Sequence, residues 1–395
     1  MVSLLVNMNA QEYSDALVRK ANAGNAKAQN DLGVCYQYGY GVDSNEMEAA
    51  KWYKKSASQN NPEGLFNYGC ILFDGYFDYD AQESHKNCKD GVNYLLQAKR
   101  AGHKQAEEVL ERVCNLGYSY WGAKNSDFNV SFYKETPAND IDLLFNNIDK
   151  LKSSPNNPSS QFYLGIIEEY SENYTQAFEH FMKAHDILYA DDGETKFYGT
   201  KDPITGEEVD FAIEAYVQDR LGYYYENGIG VAKNLTKALE FWKESFSRDA
   251  FYVFQSPSYL HRTHEAMCYE KLGDLKQYIA TLEEHKYTSN GWGYGGELRL
   301  SLWLADAYFK GYGVTKDYTK AYKIFEEITE CDCGGMGHAY EWYPDVYADA
   351  CYRIHQMYKD GYGVTKNTKD AQLYFDEALK YGSTSALYDY YHSQK

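Results

Sequence analysis

The chain has 395 residues, a formal net charge of −19 and an isoelectric point near 5.0. A field that negative repels nucleic acid and anionic membrane surfaces; it either favours basic partners or only keeps a soluble protein apart from its neighbours. Hydrophobic residues make up 44% and aromatics 17%, which excludes a disordered chain, and 7 prolines against 31 glycines point to helices whose turns are made by glycine.

At the N-terminus, "MVSLLVNMNAQEYSD" holds an apolar run from Val2 to Val6 that is too short for a secretory signal or a membrane span. The cysteines (Cys35, Cys70, Cys88, Cys114, Cys268, Cys331, Cys333, Cys351) show no paired spacing of the kind a disulfide framework leaves. They read as thiols in a reducing compartment, so a cytoplasmic location is expected.

Further along, one pattern recurs in the same register. It appears as "LGVCYQYGYGVDSNEMEAAKWYKKSA" from Leu32, "LGYYYENGIGVAKNLTKALEFWKESF" from Leu221, "LADAYFKGYGVTKDYTKAYKIFEEI" from Leu304 and "IHQMYKDGYGVTKNTKDAQLYFDEAL" from Ile354. An aliphatic anchor is followed four places on by tyrosine (Tyr36, Tyr225, Tyr308, Tyr358), so the two share one face of a helix A. A first glycine (Gly39, Gly228, Gly311, Gly361) sits where a left-handed cap is wanted, and a second (Gly41, Gly230, Gly313, Gly363) allows a tight reversal before a valine. Asn45, Asn234, Asp317 and Asn367 are N-caps for a helix B. Ala49, Ala238, Ala321 and Ala371 let the helices approach, and aromatics such as Trp52, Trp242, Phe325 and Phe375 fill the space beyond.

Weaker copies lie between. "GLFNYGCILFDG" at Gly64 and "AEEVLERVCNLG" at Ala106 read as helix A, and "YLGIIEEYSENYTQAFEHFMKA" from Tyr163 and "AMCYEKLGDLKQYIATLEEH" from Ala266 as hairpins with shorter turns. Residues 118–160 form an irregular connection with one helix, "NDIDLLFNNIDKLKSS", and residues 187–211 an insert with turn signals at Asp192-Gly193 and Pro203. "YTSNGWGYGGE" from Tyr287 is a glycine-aromatic loop, and "YGSTSALYDYYHSQ" begins another helix A that ends the array as a polar cap. The expected divisions are 1–117, 118–160, 161–286 and 287–395. Long insertions either gather on a binding face or are neutral growths.

Several stretches have the residue types of a catalytic or ligand site. A phosphate loop needs a strand before its glycines and a helix N-terminus directly after, whereas here a helix precedes them and the loop occurs in every full repeat. "CDCGGMGH" carries Cys331, Cys333 and His338, with Cys351 downstream, but Cys-x-Cys is tight for one zinc ion and a loop with incidental thiols is the better reading. His261 and His264 share a helical face beside Glu265 without forming a His-Glu-x-x-His motif, and read as packing or solvent-facing residues. No nucleophile elbow, kinase signature or dinucleotide fingerprint is present, and neither enzyme activity nor a cofactor is expected.

The four full copies resemble the SEL-one-like repeat family, relatives of the tetratricopeptide repeat with a longer glycine-valine turn. The resemblance implies an all-α fold, a right-handed superhelical solenoid of antiparallel helix pairs, and a non-catalytic adaptor that holds a segment of another protein in a concave groove lined by helix A. Counting two before, two after and five after each anchor, the groove takes Asn30, Val34 and Gln37, then Phe66, Cys70 and Phe73. In the centre it takes Asp219, Tyr223 and Glu226, then Thr263, Met267 and Glu270. Towards the C-terminus it takes Leu302, Asp306 and Phe309, and finally Tyr352, Gln356 and Lys359. Carboxylates outnumber bases there and alternate with aromatics, which suits a basic or amphipathic segment; the bland alternative is a solvated groove that follows the acidic composition. Two other readings stand beside it, an inhibitor or immunity protein masking a basic toxin, and a metal-binding or enzymatic protein using the inserts.

Overall fold

The computed structural model describes residues 13–75, 77–78, 83–84, 86–114, 140–189, 200–207, 212–249, 258–287, 295–331 and 338–394. The chain divides into two compact units, residues 1–126 with 317–395, and residues 127–316. The first unit opens with α1 (Asp15–Asn22), α2 (Ala26–Tyr38), α3 (Glu46–Ala57) and α4 (Pro62–Asp74), then a short antiparallel pair, β1 (Phe77–Asp78) with β2 (Glu83–Ser84), then α5 (Cys88–Arg100) and α6 (Ala106–Val113). The second holds α7 (Ile141–Asn146), α8 (Ile148–Lys152), α9 (Pro158–Tyr170), α10 (Tyr174–Leu188), α11 (Ala212–Asn227), α12 (Leu235–Asp249), α13 (Ser258–Leu272), α14 (Leu275–His285) and α15 (Gly295–Lys310). The first unit resumes with α16 (Tyr318–Thr329), α17 (Ala339–Trp342), α18 (Pro344–Asp360), α19 (Thr368–Tyr381) and α20 (Thr384–Ser393). Apart from the small β pair the regular structure described is helical, and in each unit helices adjacent in sequence pack on one another.

The recurring residues do what their spacing dictates. The anchors Leu32, Leu221, Leu304 and Ile354 and the alanines Ala49, Ala238, Ala321 and Ala371 are all buried. Asn45, Asn234, Asp317 and Asn367 cap helix B, each side-chain oxygen accepting the amide three residues on at 2.9–3.3 Å; such caps contribute about 1 kcal/mol each. The cap's own N–H donates to the helix A tyrosine carbonyl, from Asn45 to Tyr36 at 2.7 Å, Asn234 to Tyr225 at 2.8 Å and Asn367 to Tyr358 at 3.0 Å. At the far end of the first pair Ser56 Oγ donates to the Ala26 carbonyl at 2.7 Å. The end of helix A therefore meets the start of helix B and the reverse, so the pair is antiparallel.

The first glycine is the left-handed cap, with φ +72° at Gly39 and +81° at Gly361. The second has a reason beyond the reversal. Gly230 (φ +61°) lies against Tyr174, the first residue of α10, so closely that a Cβ would enter the Tyr174 carbonyl oxygen. At Gly363 (φ +70°) a Cβ would stand 2.6 Å from the carbonyl carbon of Tyr318, the first residue of α16. The turn of one repeat thus rests on the first turn of the preceding helix B, and only a residue without a side chain fits.

Two local expectations change, and the turn expected at Pro203 is present. The single helix expected in 118–160 is two, α7 and α8, because the Asn147 side-chain amide donates to the Leu143 carbonyl at 2.9 Å and competes with the helical ladder. In the 187–211 insert, Asp192 and Gly193 lie outside the described residues. Around Pro203 the chain forms a turn in which Asp202 Oδ1 accepts the amides of Ile204 and Thr205 at 2.8 and 3.0 Å, and Oδ2 accepts the Tyr163 hydroxyl at 2.7 Å. The C-terminal α20 is no free polar end: it buries Ala386, Leu387 and Tyr391.

Candidate functional site

Helix A of each repeat was expected to present its second face to a groove. The described structure buries much of that face instead. Asn30, Val34, Phe66, Cys70, Asp219, Tyr223, Glu226, Thr263, Leu302 and Tyr352 are all buried. The cause is the next helix A along the chain, which the count within one repeat omits. Asn67 on α4 donates to Asn30 Oδ1 at 2.8 Å, and Asp389 on α20 accepts the Tyr352 hydroxyl at 2.7 Å. Phe66 stacks on His103 with ring centres 4.0 Å apart. These contacts hold repeat to repeat. Gln37, Phe73, Met267, Asp306, Phe309 and Gln356 are half-buried, and of the expected groove residues only Glu270 and Lys359 are exposed.

Glu226 departs furthest from its expected role. At 1% exposure its Oε2 accepts Trp242 Nε1 at 3.1 Å and pairs with His264 Nδ1 at 2.6 Å, while Oε1 accepts Lys271 Nζ at 2.6 Å. The Trp242 ring stacks on His264 at 4.4 Å and lies against Gly222, where a Cβ would be 2.8 Å from the indole. Burial raises the Glu226 carboxyl, but His264 and Lys271 outweigh it and hold it down to about 2. A carboxylate that saturated is a structural hub joining α11, α12 and α13. It was legible after all: the fifth place after the anchor is an acceptor (Gln37, Glu226) where helix B carries a ring with a donor (Tyr53, Trp242), and Tyr53 Oη donates to Gln37 at 2.6 Å. Where that ring is Phe325 or Phe375, the fifth place is Phe309 or Lys359.

Four of the eight expected groove residues that are not buried, Met267, Glu270, Asp306 and Phe309, lie on α13 and α15 in the second unit. Met267 and Glu270 are one helical turn apart on α13, as are Asp306 and Phe309 on α15, so each pair shares a face. Tyr312, 41% exposed, hydrogen-bonds Glu270 and meets Tyr278 edge to face at 6.2 Å. Burial first, then the charge of Glu270 and lesser contributions from Tyr312 and Asp306, raise the Tyr278 hydroxyl well above its ordinary range. Asp306 also accepts Lys310 Nζ at 2.8 Å. The patch combines carboxylates, an exposed ring edge and apolar side chains. In the first unit Gln356 Oε1 accepts Arg353 at 3.0 Å and Lys359 stands in solvent.

The cysteine-histidine stretch lies only partly among the described residues. Cys331 and Cys351 are buried, His338 is exposed and stacks on Tyr340 at 5.2 Å, and Cys333 lies outside the described residues. Among the described residues no three His, Cys, Asp or Glu side chains converge on a point where a metal ion could sit. His264 belongs to the hub above, and the side chain of His261 is outside the described set. No helix among the described residues is long and apolar enough to cross a membrane.

The chain was compared with known proteins. The model of the Sel1 repeat matches residues 26–61, 215–248, 301–332 and 348–381, the four segments that carry the glycine-valine turn. No curated protein matches. Among solved structures, the chain is similar to a Sel1 repeat protein from Oxalobacter formigenes, at 16% identity over 96% of this chain and 79% of that one, with a TM-score of 0.35. It is also similar to a protective antigen present in uropathogenic Escherichia coli strains displaying an SLR fold, at 17% identity over 98% of this chain and 76% of that one, with a TM-score of 0.32. With anchors, caps and both glycines of the matched segments in the roles described above, the chain is an all-α repeat protein that carries four Sel1 (SEL-one-like) repeats.

Proposed function

We propose that the protein is a non-catalytic interaction scaffold that takes a basic or amphipathic segment of another protein on the α13–α15 surface. Sel1 repeats indicate protein–protein interaction in general. The finer reading rests on one observation: of the helix A residues expected to face a partner, Glu270, Asp306, Met267 and Phe309 stay at the surface together with the exposed Tyr312. A lysine or arginine there would meet carboxylates and a ring face, and the apolar residues of an amphipathic helix would meet Met267 and Phe309. The net charge of −19 adds long-range attraction for such a segment. A reducing, cytoplasmic setting fits the burial of Cys70, Cys88, Cys268 and Cys351 as thiols and belongs to the same proposal.

The test is a peptide-display selection on the full chain, followed by calorimetric titration of the enriched peptides. Lysine- or arginine-rich amphipathic peptides should enrich, and Glu270→Lys with Asp306→Lys should weaken them at least ten-fold while far-UV dichroism stays unchanged. Enrichment of acidic peptides, or affinity indifferent to both substitutions, would reject the assignment.

A further inference from the structure

Repeat arrays are held by contacts between sequence neighbours. The first unit departs from that rule. Lys89 Nζ on α5 donates to Asp376 Oδ1 on α19 at 2.7 Å, and one turn further along α5 Asn93 Oδ1 accepts the Tyr390 hydroxyl of α20 at 2.9 Å. Beside them Gly382, the C-cap of α19, lies against Cys88, the first residue of α5; a Cβ at Gly382 would be 2.8 Å from Cys88 Sγ. The Lys89 ammonium also stands 5.9 Å from the centre of the Tyr390 ring. Residues nearly 300 positions apart thus meet through one stripe of α5, Lys89 and Asn93 being four apart.

The chemistry of this contact differs from that between neighbouring helices. Those pack buried leucines, alanines and aromatic rings. Here the Lys89 and Asp376 side chains keep 36% and 44% of their exposure, so salt screens their attraction. Beside the pair, the described contacts are the Asn93–Tyr390 hydrogen bond, the distant approach of Lys89 to the Tyr390 ring and the Gly382–Cys88 packing. A contact built this way leans on a solvent-screened ion pair more than the buried packing between neighbouring helices does.

We propose that α19 and α20 form an ionic latch on α5, joining the sequence-distant ends of the first unit into one cooperative body. The latch opens before the neighbouring helix pairs separate, and raised ionic strength or loss of the Lys89–Asp376 pair opens it. The full chain tests this by amide hydrogen exchange at low salt. Asp376→Lys should speed exchange about five-fold in residues 88–100 and 384–393 together and leave α2 and α3 unchanged. Lys89→Asp combined with Asp376→Lys should bring both segments back to within two-fold of the parent, and salt should reproduce the single variant's effect. Faster exchange in α20 with α5 unmoved, or a double variant as fast as the single, would overturn the latch. Should Asp376→Lys unfold the whole chain, Tyr390→Phe, which removes only the bond to Asn93, carries the test: both segments must loosen together, and loosening of α20 alone rejects the idea.

Discussion

The docking of each glycine turn on the preceding helix B makes a prediction that separates two effects of one substitution. In Gly230→Ala the new Cβ imposes a left-handed conformation at φ +61° and also enters the carbonyl of Tyr174. Gly273→Ala, in the same unit at φ +78°, imposes the conformation alone, since nothing lies within 4 Å of its Cβ. The left-handed region costs alanine about 1 kcal/mol, and the change in unfolded-state entropy is the same at both sites. Forcing the α10 backbone away adds about 2 kcal/mol, as overpacking typically does. Urea unfolding followed by far-UV dichroism should therefore show Gly230→Ala losing about 3 kcal/mol and Gly273→Ala about 1 kcal/mol, read from midpoints at an unchanged slope. Equal losses would mean that the turn does not bear on the preceding helix and that the second glycine serves the reversal only.

Other outcomes follow from the hub and the caps. Because Glu226 is held at about 2 against an ordinary 4.5, its stabilisation is full above pH 4.5 and is lost as pH falls towards 2. Glu226→Gln should cost about 3 kcal/mol at pH 7, and the gap to the parent should close between pH 5 and pH 2 in parallel urea titrations. Gly222→Ala should destabilise through the Trp242 indole; adding Trp242→Phe, which copies the Ala305 and Phe325 combination of the third repeat, should recover part of that loss, giving a double-mutant coupling of about 1 kcal/mol or more. Asn234→Ala removes the oxygen that accepts the Lys237 amide and should lower stability by about 1 kcal/mol by the same assay.

The repeat was legible because every feature that defines it acts within a few residues. An anchor and a tyrosine four apart, a left-handed glycine cap, and an asparagine three before a free amide are local chemistry, and the structure places each as its spacing dictates. The groove was not legible in the same way. Whether Asn30 or Tyr352 faces water depends on Asn67 and Asp389, each 37 positions further along the chain. Glu226 is the sharpest case, since its partners His264 and Lys271 stand 38 and 45 positions downstream. Even so, the pairing of an acceptor five past the anchor with a donor ring on helix B could have marked it. The contact of α20 with α5 has no local signal, because Asn93 and Tyr390 belong to no shared motif.

The claim that a basic segment lies on α13–α15 is tested most directly by site-specific photo-crosslinking. A photoreactive amino acid is placed at position 309, or as a control at position 170, where Tyr170 is 67% exposed on α9. The peptide selected for affinity should crosslink from position 309 and not from position 170, and the adduct should vanish in the Glu270→Lys, Asp306→Lys background. Crosslinking from position 170 alone, or from both positions equally, would contradict the account.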